Sequence, residues 1–446
     1  MNIKKGISKL CLSVALAALL SGAFALTGSA SDLKKPVSPA LYILAEDTDM
    51  AMAGIIGNKI SFTDKDFCRA MNLSKVDSIT VTKAPPMTDG ELRLGNTVVT
   101  SGQTLSASAL SRLTYTPSGA GINRSSFKFT VNGSPVDITC NLYLLEEYNG
   151  VAASGGALYE PISDGVCRVD LAAWKGRGLP IEWLFRMFSA SCRVLPDAKA
   201  RFHGYLEAAA AVLSRGAAGF SLQEWQAYLR EYQKGGMGAV HHSDSYREAE
   251  HPAYRIVDRR LMRVIPILER VAAIPTPARP LVIAIDGRAA SGKTTLADAL
   301  QTILDAEIIH MDDFFVPPAL RTGARFATPG ENIHHERFRE EVLPFLAAKD
   351  GFAYRIFDCG RMDYHGYRVI GDKPFRVVEG SYSTHPIFGR YADITVFSDV
   401  SADEQRERIR VRNGEEMLAR FLSRWIPMEE EYFGHYGIAE RADVCL

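Results

Sequence analysis

The sequence predicts a multidomain protein. Its C-terminal part is expected to be an α/β domain, a parallel sheet flanked by helices, preceded by a mainly helical region and an N-terminal β-sandwich-like module. The 446 residues suffice for roughly two to four domains. Short alternating strands with turn signals fill the first third, and an apolar run that enters a glycine-rich loop opens the last third. We therefore divide the chain into segments 1–30, 31–148, 149–278 and 279–446.

Composition places the chain among folded proteins without a dominant charge. Hydrophobic residues make up 47% and charged residues 23%, so most of the chain can bury a core. The sequence has 51 Lys and Arg residues and 52 Asp and Glu residues, so the formal charges nearly cancel. This balance argues against a generally basic nucleic-acid binder and against an acidic solvating tail, and we expect no nucleic-acid partner.

Segment 1–30 is predicted to be a signal peptide. Lys4, Lys5 and Lys9 make a positive start, residues 10–20 form an apolar run, and small residues follow. The alternative is an uncleaved membrane anchor, but the apolar run is short for a bilayer span. We expect no stable membrane span after cleavage.

The cysteines suggest a different compartment from the signal peptide. Seven are present; none forms a CxxC pair, and none has zinc spacing with a histidine. Cys68 and Cys140 could pair in an exported domain, whereas the other cysteines are typical of a reducing compartment. The N-terminus thus indicates export, while the later cysteines favour the cytoplasm.

Segment 31–148 is predicted to be β-structure. Residues 78–82, 113–116 and 127–131 alternate with period two, and turn signals separate them. Residues 113–117 together with 126–133 resemble the bacterial cadherin-like or Ig-like repeats of surface proteins. That resemblance implies a spacer or adhesion module without catalytic residues.

Segment 149–278 is predicted to be mainly helical. Residues 181–188 and 205–213 carry apolar residues at helical spacing, and Ser221 with Glu224 forms a capping-box pattern. His241 and His242 are sequence neighbours whose side chains point in different directions, which favours a structural or substrate-contact role over a metal site. A proline-rich stretch at 274–280 marks a domain boundary.

The strongest motif follows that boundary. Residues 281–285 read as a buried strand, residues 287–294 (GRAASGKT) fit GxxxxGK[ST], and residues 295–300 continue as an amphipathic helix. The glycines let backbone N–H groups surround phosphate oxygens, and the helix start adds a partial positive charge. The predicted phosphate-binding residues are Gly287, Ala289, Ala290, Ser291, Gly292, Lys293, Thr294 and Thr295.

Acidic residues follow two further predicted strands. Asp312 and Asp313 end the strand that contains residues 308–309, and Glu379 ends the strand at 375–378. Ligands of open α/β sheets bind at these carboxyl ends. Lys293 can reach the β- and γ-phosphates of a nucleotide, and Thr294 can offer a hydroxyl to Mg²⁺.

Residues 281–446 resemble the uridine kinase and phosphoribulokinase family of P-loop small-molecule kinases. The resemblance is carried by residues 287–294, 311–315 (MDDFF), 332–338 (NIHHERF), 377–380 (VVEG) and 408–412 (RIRVR). It implies a P-loop kinase fold and phosphoryl transfer from ATP, with Mg²⁺, to a hydroxyl of a small-molecule acceptor.

The resemblance also implies roles for single residues. Asp312 maps to the catalytic carboxylate that orients the acceptor hydroxyl. Beside it, we expect Asp313 to support the loop or to solvate it. Glu379 is expected to hold Mg²⁺ with Thr294; its alternative role is a turn carboxylate. Lys293 is expected to act on the transferring phosphate.

A basic helix after the fourth predicted strand resembles the family's lid. It is expected from 401 to 412 and carries Arg406, Arg408, Arg410 and Arg412. As a lid, its arginines would close over the transferring phosphate, and we select Arg408 and Arg412 as catalytic candidates. The alternative is a solvated helix face whose arginines pair with Glu404 and Glu407.

The acceptor segment departs from the nucleoside-specific pattern. His334 stands where such members have an acidic residue that bonds ribose hydroxyls, Phe357 and Asp358 replace a Tyr-Asp pair, and His365 is displaced from the base-contacting position. A site built for a ribose diol discriminates strongly by hydrogen bonding, so these changes argue against uridine as the acceptor.

Three functions remain open at this point. The first is the ATP-dependent kinase, the second an ATP-binding switch without a small acceptor, and the third an exported surface protein that carries a passenger kinase domain. Kinase chemistry places the C-terminal portion in the cytoplasm. The conflicting signal peptide suggests export, or two reading frames fused near Gly150.

Overall fold

The computed structural model describes residues 50–119, 121–145, 147–162, 165–192, 198–215, 221–234, 249–275 and 278–446. The predicted signal peptide and the His241–His242 pair lie outside these residues. The chain divides into two compact units, Met1–Arg260 and Leu261–Leu446, which are described separately. The predicted boundaries at 148 and 278 differ from this division and stay predictions.

The first part of the first unit is built of strands, and those at 78–83, 113–117 and 124–131 alternate between more and less buried residues, as a half-buried strand requires. The strands are β1 Met50–Ile55, β2 Ile60–Ser61, β3 Ser78–Lys83, β4 Gly90–Leu94, β5 Thr97–Val98, β6 Thr104–Ser106, β7 Leu113–Pro117, β8 Arg124–Val131 and β9 Ile138–Leu145. One sheet has the order β1-β9-β8-β3-β6 and the other the order β2-β7-β4-β5. The three strands predicted from alternation are therefore confirmed as elements.

Both sheets share one hydrophobic core. Phe62, Phe67, Phe127 and Phe129 meet at its centre with ring centroids 5.2–5.9 Å apart, and each is at most 1% exposed. Cys68 and Cys140, which could have formed a disulfide, are both free thiols. Burial of apolar rings, not a covalent link, therefore stabilises this core.

The first unit also contains helices and a third sheet. It contains α1 Asp64–Ala70, α2 Ala107–Leu110, α3 Glu147–Gly150, α4 Leu171–Gly176, α5 Ile181–Ser191, α6 Ala198–Leu213 and α7 Leu222–Lys234. It also contains strands β10 Tyr159–Pro161, β11 Val166–Asp170 and β12 Tyr254–Asp258, which form an antiparallel sheet. Local patterns missed this sheet because β11 and β12 are far apart in sequence. Helix α5 packs on β1, so this compact unit continues through Gly150.

The second unit holds the phosphate-loop motif. Its strands are β13 Leu281–Gly287, β14 Ala306–His310, β15 Phe352–Asp358, β16 Asp363–Ile370, β17 Phe375–Glu379, β18 Ile394–Ser398 and β19 Val444–Cys445. Its α-helices are α8 Ile265–Ala273, α9 Lys293–Leu304, α10 Gly323–Phe326, α11 His335–Glu341, α12 Ala402–Arg420 and α13 Ile426–Tyr436. Short 3₁₀ turns lie at Arg259–Val264, Met311–Phe314, Pro318–Leu320, Leu343–Phe345 and Pro386–Phe388, and a π-helical turn at Phe421–Trp425.

A five-stranded parallel sheet organises this unit. Its order is β14-β17-β13-β18-β19, and every neighbouring pair is parallel. All seven residues of β13, the central strand, are buried. Helix α9 packs against β13, β14 and β17, and α8 packs against β18. The predicted parallel sheet flanked by helices is confirmed, and its carboxyl ends meet at one edge.

In the described residues, no helix is both long enough and apolar enough to cross a membrane.

Candidate active site

The phosphate loop joins β13 to α9 through glycines in the left-handed region. Gly287 has φ 138° and Gly292 has φ 96°. A Cβ atom at Gly287 would lie 2.1 Å from the carbonyl oxygen of Ser398, so no other residue fits there. The loop ends at the N-terminus of α9, where free N–H groups and the helix dipole favour an anion. All the predicted phosphate-binding residues lie in this loop or the first turn of α9: Gly287, Ala289, Ala290, Ser291, Gly292, Lys293, Thr294 and Thr295.

Lys293 folds back over the loop. Its Nζ donates to the carbonyl oxygens of Gly287 (2.7 Å) and Arg288 (2.9 Å) and to Ser381 Oγ (3.2 Å). These neutral acceptors hold the ammonium group at the carboxyl edge of the sheet without cancelling its charge. The group is therefore placed to attract an anion seated in the loop.

Thr294 and Glu379, the two predicted magnesium ligands, lie together. Thr294 Oγ1 donates to Glu379 Oε2 (3.3 Å), and the other carboxylate oxygen, Oε1, lies 2.6 Å from His310 Nδ1. The Glu379 side chain is 7% exposed. A hydroxyl and a carboxylate are hard oxygen ligands, and Mg²⁺ is commonly held by one or two carboxylates with phosphate oxygens and water. The donor set fits Mg²⁺, and His310 is a partner that the motif did not indicate.

Asp312 lies at the end of β14, in the turn Met311–Phe314. The residue is accessible to solvent, but protein surrounds its carboxyl group on most sides. This burial, with the charge of Glu379, raises the pKa of Asp312, while Lys293 and His310 act in the opposite direction. Asp312 is thus electrostatically coupled to the lysine and to the glutamate of the candidate metal site, as a shared site requires.

Asp313 has a different environment. Its Oδ2 accepts from Tyr354 Oη (2.9 Å) and from Arg368 Nε (2.8 Å), and the residue is 7% exposed. These bonds tie the turn after β14 to the hairpin β15–β16. The sequence prediction gives Asp313 a supporting role, and these contacts are those of a support.

Two further buried carboxylates were not predicted. Asp286 is fully buried and accepts from the N–H groups of Tyr382 and Thr384, both at 3.0 Å, and from Tyr432 Oη at 2.9 Å. Glu429, on α13, accepts from Ala289 N (2.9 Å) and Ser381 Oγ (2.8 Å), and burial raises its pKa.

Both carboxylates accept from loop N–H groups, Asp286 from Gly287 (2.8 Å) and Glu429 from Ala289. For Asp286, the sequence contained one indication of such a role, because this residue directly precedes the first glycine of the loop. Glu429 carried none, because it lies 140 residues from its loop partner Ala289.

The two lid candidates are placed differently. Arg408 Nη1 donates to the carbonyl oxygen of Ala290 (2.9 Å), so the structure brings it to the phosphate loop. Its Nη2 also pairs with Glu404 (2.5 Å), and Arg410 pairs with Glu407 (2.6 Å), which are the ion pairs of the alternative helix-face interpretation. Arg412 is exposed and its Nε donates to the adjacent Asn413 (2.8 Å); in the described residues it makes no bond to the loop. Gly414, with φ 81° and ψ 171°, interrupts α12 just beyond Arg412.

In the region predicted to contact the acceptor, two histidines contact protein groups and one asparagine oxygen does not. His334 is the N-cap of α11 and its Nδ1 accepts from Arg337 N (3.3 Å). His365 Nδ1 lies 3.1 Å from Arg361 Nη1 on the hairpin. Asn332 is 8% exposed, and its Oδ1 lacks a hydrogen-bond partner among the described residues.

Cavity size alone would not find this site. The second unit has a cavity of about 340 Å³, and none of the candidate phosphate or metal ligands lines it. Its lining residues are Thr384, Pro386, Gly389, Arg390, Tyr391, Ala392, Thr395, Val396, Ile438, Arg441 and Ala442. A phosphate loop binds its ligand with backbone N–H groups in an open cradle, so chemistry and backbone path locate it better than volume.

No protein-family model matches the chain, and no curated protein is significantly similar to it. Solved structures match part of it. A protein described as a possible uridine kinase from Bacillus stearothermophilus is 22% identical, with 42% of this chain and 98% of that chain covered and a TM-score of 0.34. The shikimate kinase of Bacteroides thetaiotaomicron is 20% identical, with 37% and 85% covered and a TM-score of 0.21. At these identities and TM-scores the likeness carries no conclusion about activity or substrate.

Proposed function

We propose that the unit Leu261–Leu446 transfers the γ-phosphoryl group of ATP to a hydroxyl group of a small molecule. The observation that carries the proposal is the convergence of Lys293, Thr294, Glu379 and Asp312 at the carboxyl edge of one parallel sheet. Phosphoryl transfer needs a phosphate cradle, a metal site and a carboxylate near the acceptor, and these residues supply all three.

Each group has a defined task in this reaction. The loop N–H groups and Lys293 bind the triphosphate, and Thr294 with Glu379 would hold Mg²⁺, which neutralises developing negative charge. Asp312 orients the acceptor hydroxyl and takes its proton as the oxygen attacks the γ-phosphorus. The bond from that phosphorus to the β,γ-bridging oxygen breaks, and ADP leaves.

Arg408 supplies a permanent charge beside the loop. Its guanidinium contacts the loop carbonyl of Ala290 and pairs with Glu404, and it would exchange these contacts for the oxygens of a bound phosphate. Arg412 remains a candidate for the same task, and movement of α12 about Gly414 would be required to bring it there.

The purified full chain, ATP labelled at the γ-position and a panel of small alcohols test this proposal. We expect phosphoryl transfer to at least one alcohol. Lys293→Ala should abolish the transfer, since the ammonium group is lost from the cradle. Lys373→Ala is the matched control, because Lys373 pairs with Asp305 on the surface and should leave transfer unchanged.

The alternative function, an ATP-binding switch without a small acceptor, predicts a different result. ATP turnover would then not require an added alcohol and would persist in Asp312→Asn. Retained transfer in Lys293→Ala would overturn the phosphate-cradle assignment itself.

For segment 31–148 we propose a cadherin-like or Ig-like spacer or adhesion module, supported by two sheets around one core. Cell fractionation of an epitope-tagged chain would separate an exported protein from a cytoplasmic one. The fused-frame hypothesis is tested by one transcript read across codons 140–160. A continuous transcript would reject it, in keeping with a compact unit that continues through Gly150.

A further inference from the structure

A side chain from outside the predicted kinase segment contacts the phosphate loop. Arg263 lies in the turn Arg259–Val264, ahead of the predicted boundary at 279. Its Nη1 donates to the carbonyl oxygen of Ser291 (2.8 Å), and its Nη2 donates to Ser398 Oγ (3.2 Å) and to the carbonyl oxygen of Asp399 (3.3 Å). One guanidinium thus joins the loop to the end of β18.

The charge of Arg263 has no anionic partner. All three acceptors are neutral oxygens, and in the described residues no carboxylate lies within ion-pair distance of this side chain. Arg408 contacts the preceding loop carbonyl, that of Ala290. Burial and the charge of Arg408 lower the pKa of Arg263. Glu404, which pairs with Arg408 (2.5 Å), offsets part of the repulsion between the two arginines, and a polyanion in the loop would be attracted by both of them.

The contact also acts on a loop N–H group. The Ser291 carbonyl and the Gly292 N–H belong to the same peptide unit, so a cation at the oxygen polarises that N–H toward better donation. The Arg263 side chain lies directly against Gly292, since a Cβ atom there would be 3.1 Å from Nη1. The Arg263 side chain therefore holds this peptide in place, and Gly292 itself contributes no side chain that would obstruct the contact.

We propose that Arg263 is a positioning residue of the nucleotide site, which fixes the Ser291–Gly292 peptide and adds positive charge for the phosphates of a nucleoside triphosphate. The inference rests on the proposed function. It extends the functional unit upstream to the segment before α8, which no motif marks. A purely structural role, in which Arg263 only anchors its own turn, is the alternative that an experiment must separate.

The test compares Arg263→Ala, Arg263→Lys and Arg270→Ala in the full chain. Arg270 lies on α8 and donates only weakly, at 3.4 Å, to the carbonyl oxygen of Asp443, so it is the matched control for loss of one arginine. The dissociation constant for Mg·ATP is measured by calorimetry at low and high salt, and the melting temperature is measured without nucleotide.

We expect Arg263→Ala to weaken ATP binding by about tenfold at low salt, the size of one lost charge-assisted contact. The loss should shrink at high salt, because screening removes the electrostatic part. Arg263→Lys should recover part of the affinity, since it keeps the charge but loses the fork. Arg270→Ala should stay within about twofold of wild type.

Two outcomes would overturn the inference. The first is ATP binding by Arg263→Ala within twofold of wild type. The second is a loss equal at both salt concentrations and not recovered by lysine, which indicates structure alone. Failure of the wild type to bind ATP would instead reject the proposed function, so the two failures are distinguishable.

Discussion

Asp312 and Asp313 are adjacent carboxylates in opposite environments, and replacing each by asparagine separates catalysis from folding. Among the described residues the Asp312 side chain has no hydrogen bond, and the charges of Lys293 and Glu379 act on its carboxyl group. Asp313 is buried and bonds Tyr354 and Arg368. Replacement by asparagine should therefore remove a reacting group at Asp312 and a structural hydrogen-bond partner at Asp313.

Asp312→Asn should lower kcat by about 10²–10⁴-fold, the contribution of a general base, which corresponds to roughly 3–5 kcal/mol in the barrier. Asp312→Asn should also raise the free energy of unfolding. Burial raises the pKa of Asp312, so the folded state holds its proton to a higher pH than the unfolded state does. Ionisation then costs folding free energy as the pH rises through the folded-state pKa, and asparagine removes this cost.

Asp313→Asn should lower stability by about 1–3 kcal/mol, since a charged hydrogen bond to Arg368 is lost. The lower end is favoured because the Arg368 side chain is 35% exposed and water can solvate it. Each kcal/mol shifts the melting temperature of a domain this size by roughly 2–4 °C. Its kcat, for the molecules that remain folded, should stay within about tenfold of wild type.

The assay is labelled-phosphate transfer, with thermal melting in metal-free buffer between pH 4 and pH 8. The stability gain of Asp312→Asn should appear above the folded-state pKa of Asp312 and disappear near pH 4, about the ordinary pKa of an aspartate. Equal kcat losses at the two positions would refute the assignment of Asp312 as the base. A gain in stability that is independent of pH would refute the electrostatic reasoning.

Three further predictions follow from the loop. Gly287→Ala should abolish ATP binding in calorimetry, because its methyl group would lie 2.1 Å from a backbone oxygen and φ is 138°. Thr294→Val should raise the Mg²⁺ concentration for half-maximal activity, since one oxygen ligand is lost; Thr294→Ser should restore it. Arg408→Ala should lower kcat/KM by more than about tenfold and more than Arg412→Ala does, because Arg408 contacts the loop and, among the described residues, Arg412 does not; equal losses would show that α12 moves during turnover.

The sequence predicted the phosphate loop well because its determinants are local. A strand, a glycine turn and a helix start lie within residues 281–304, and each follows from neighbours in the chain. The residues that brace the loop are not local: Glu429 lies 140 residues from Ala289, and Arg263 lies 135 residues from Ser398. From the sequence alone, a charged side chain in a helix is expected to be exposed to solvent, and its burial becomes evident only in the folded structure.

The β-strands show the same division. Alternation located β3, β7 and β8, because a half-buried strand must alternate. It did not indicate that β1 pairs in parallel with β9, nor that β11 and β12 form a sheet within the segment predicted to be mainly helical. Strand pairing depends on contacts distant in sequence, and single-strand patterns do not contain that information.

The segment predicted to contact the acceptor has its own electrostatics. His334 uses its Nδ1 to cap α11, and burial together with nearby Arg337 and Arg325 lowers its pKa. At neutral pH the ring is therefore uncharged, and it cannot supply the negative oxygen acceptor that a ribose diol requires. Glu336 Oε2 nevertheless lies 3.2 Å from His334 Nδ1, so a carboxylate is present beside the ring, and alcohols with and without a vicinal diol both belong in the acceptor screen.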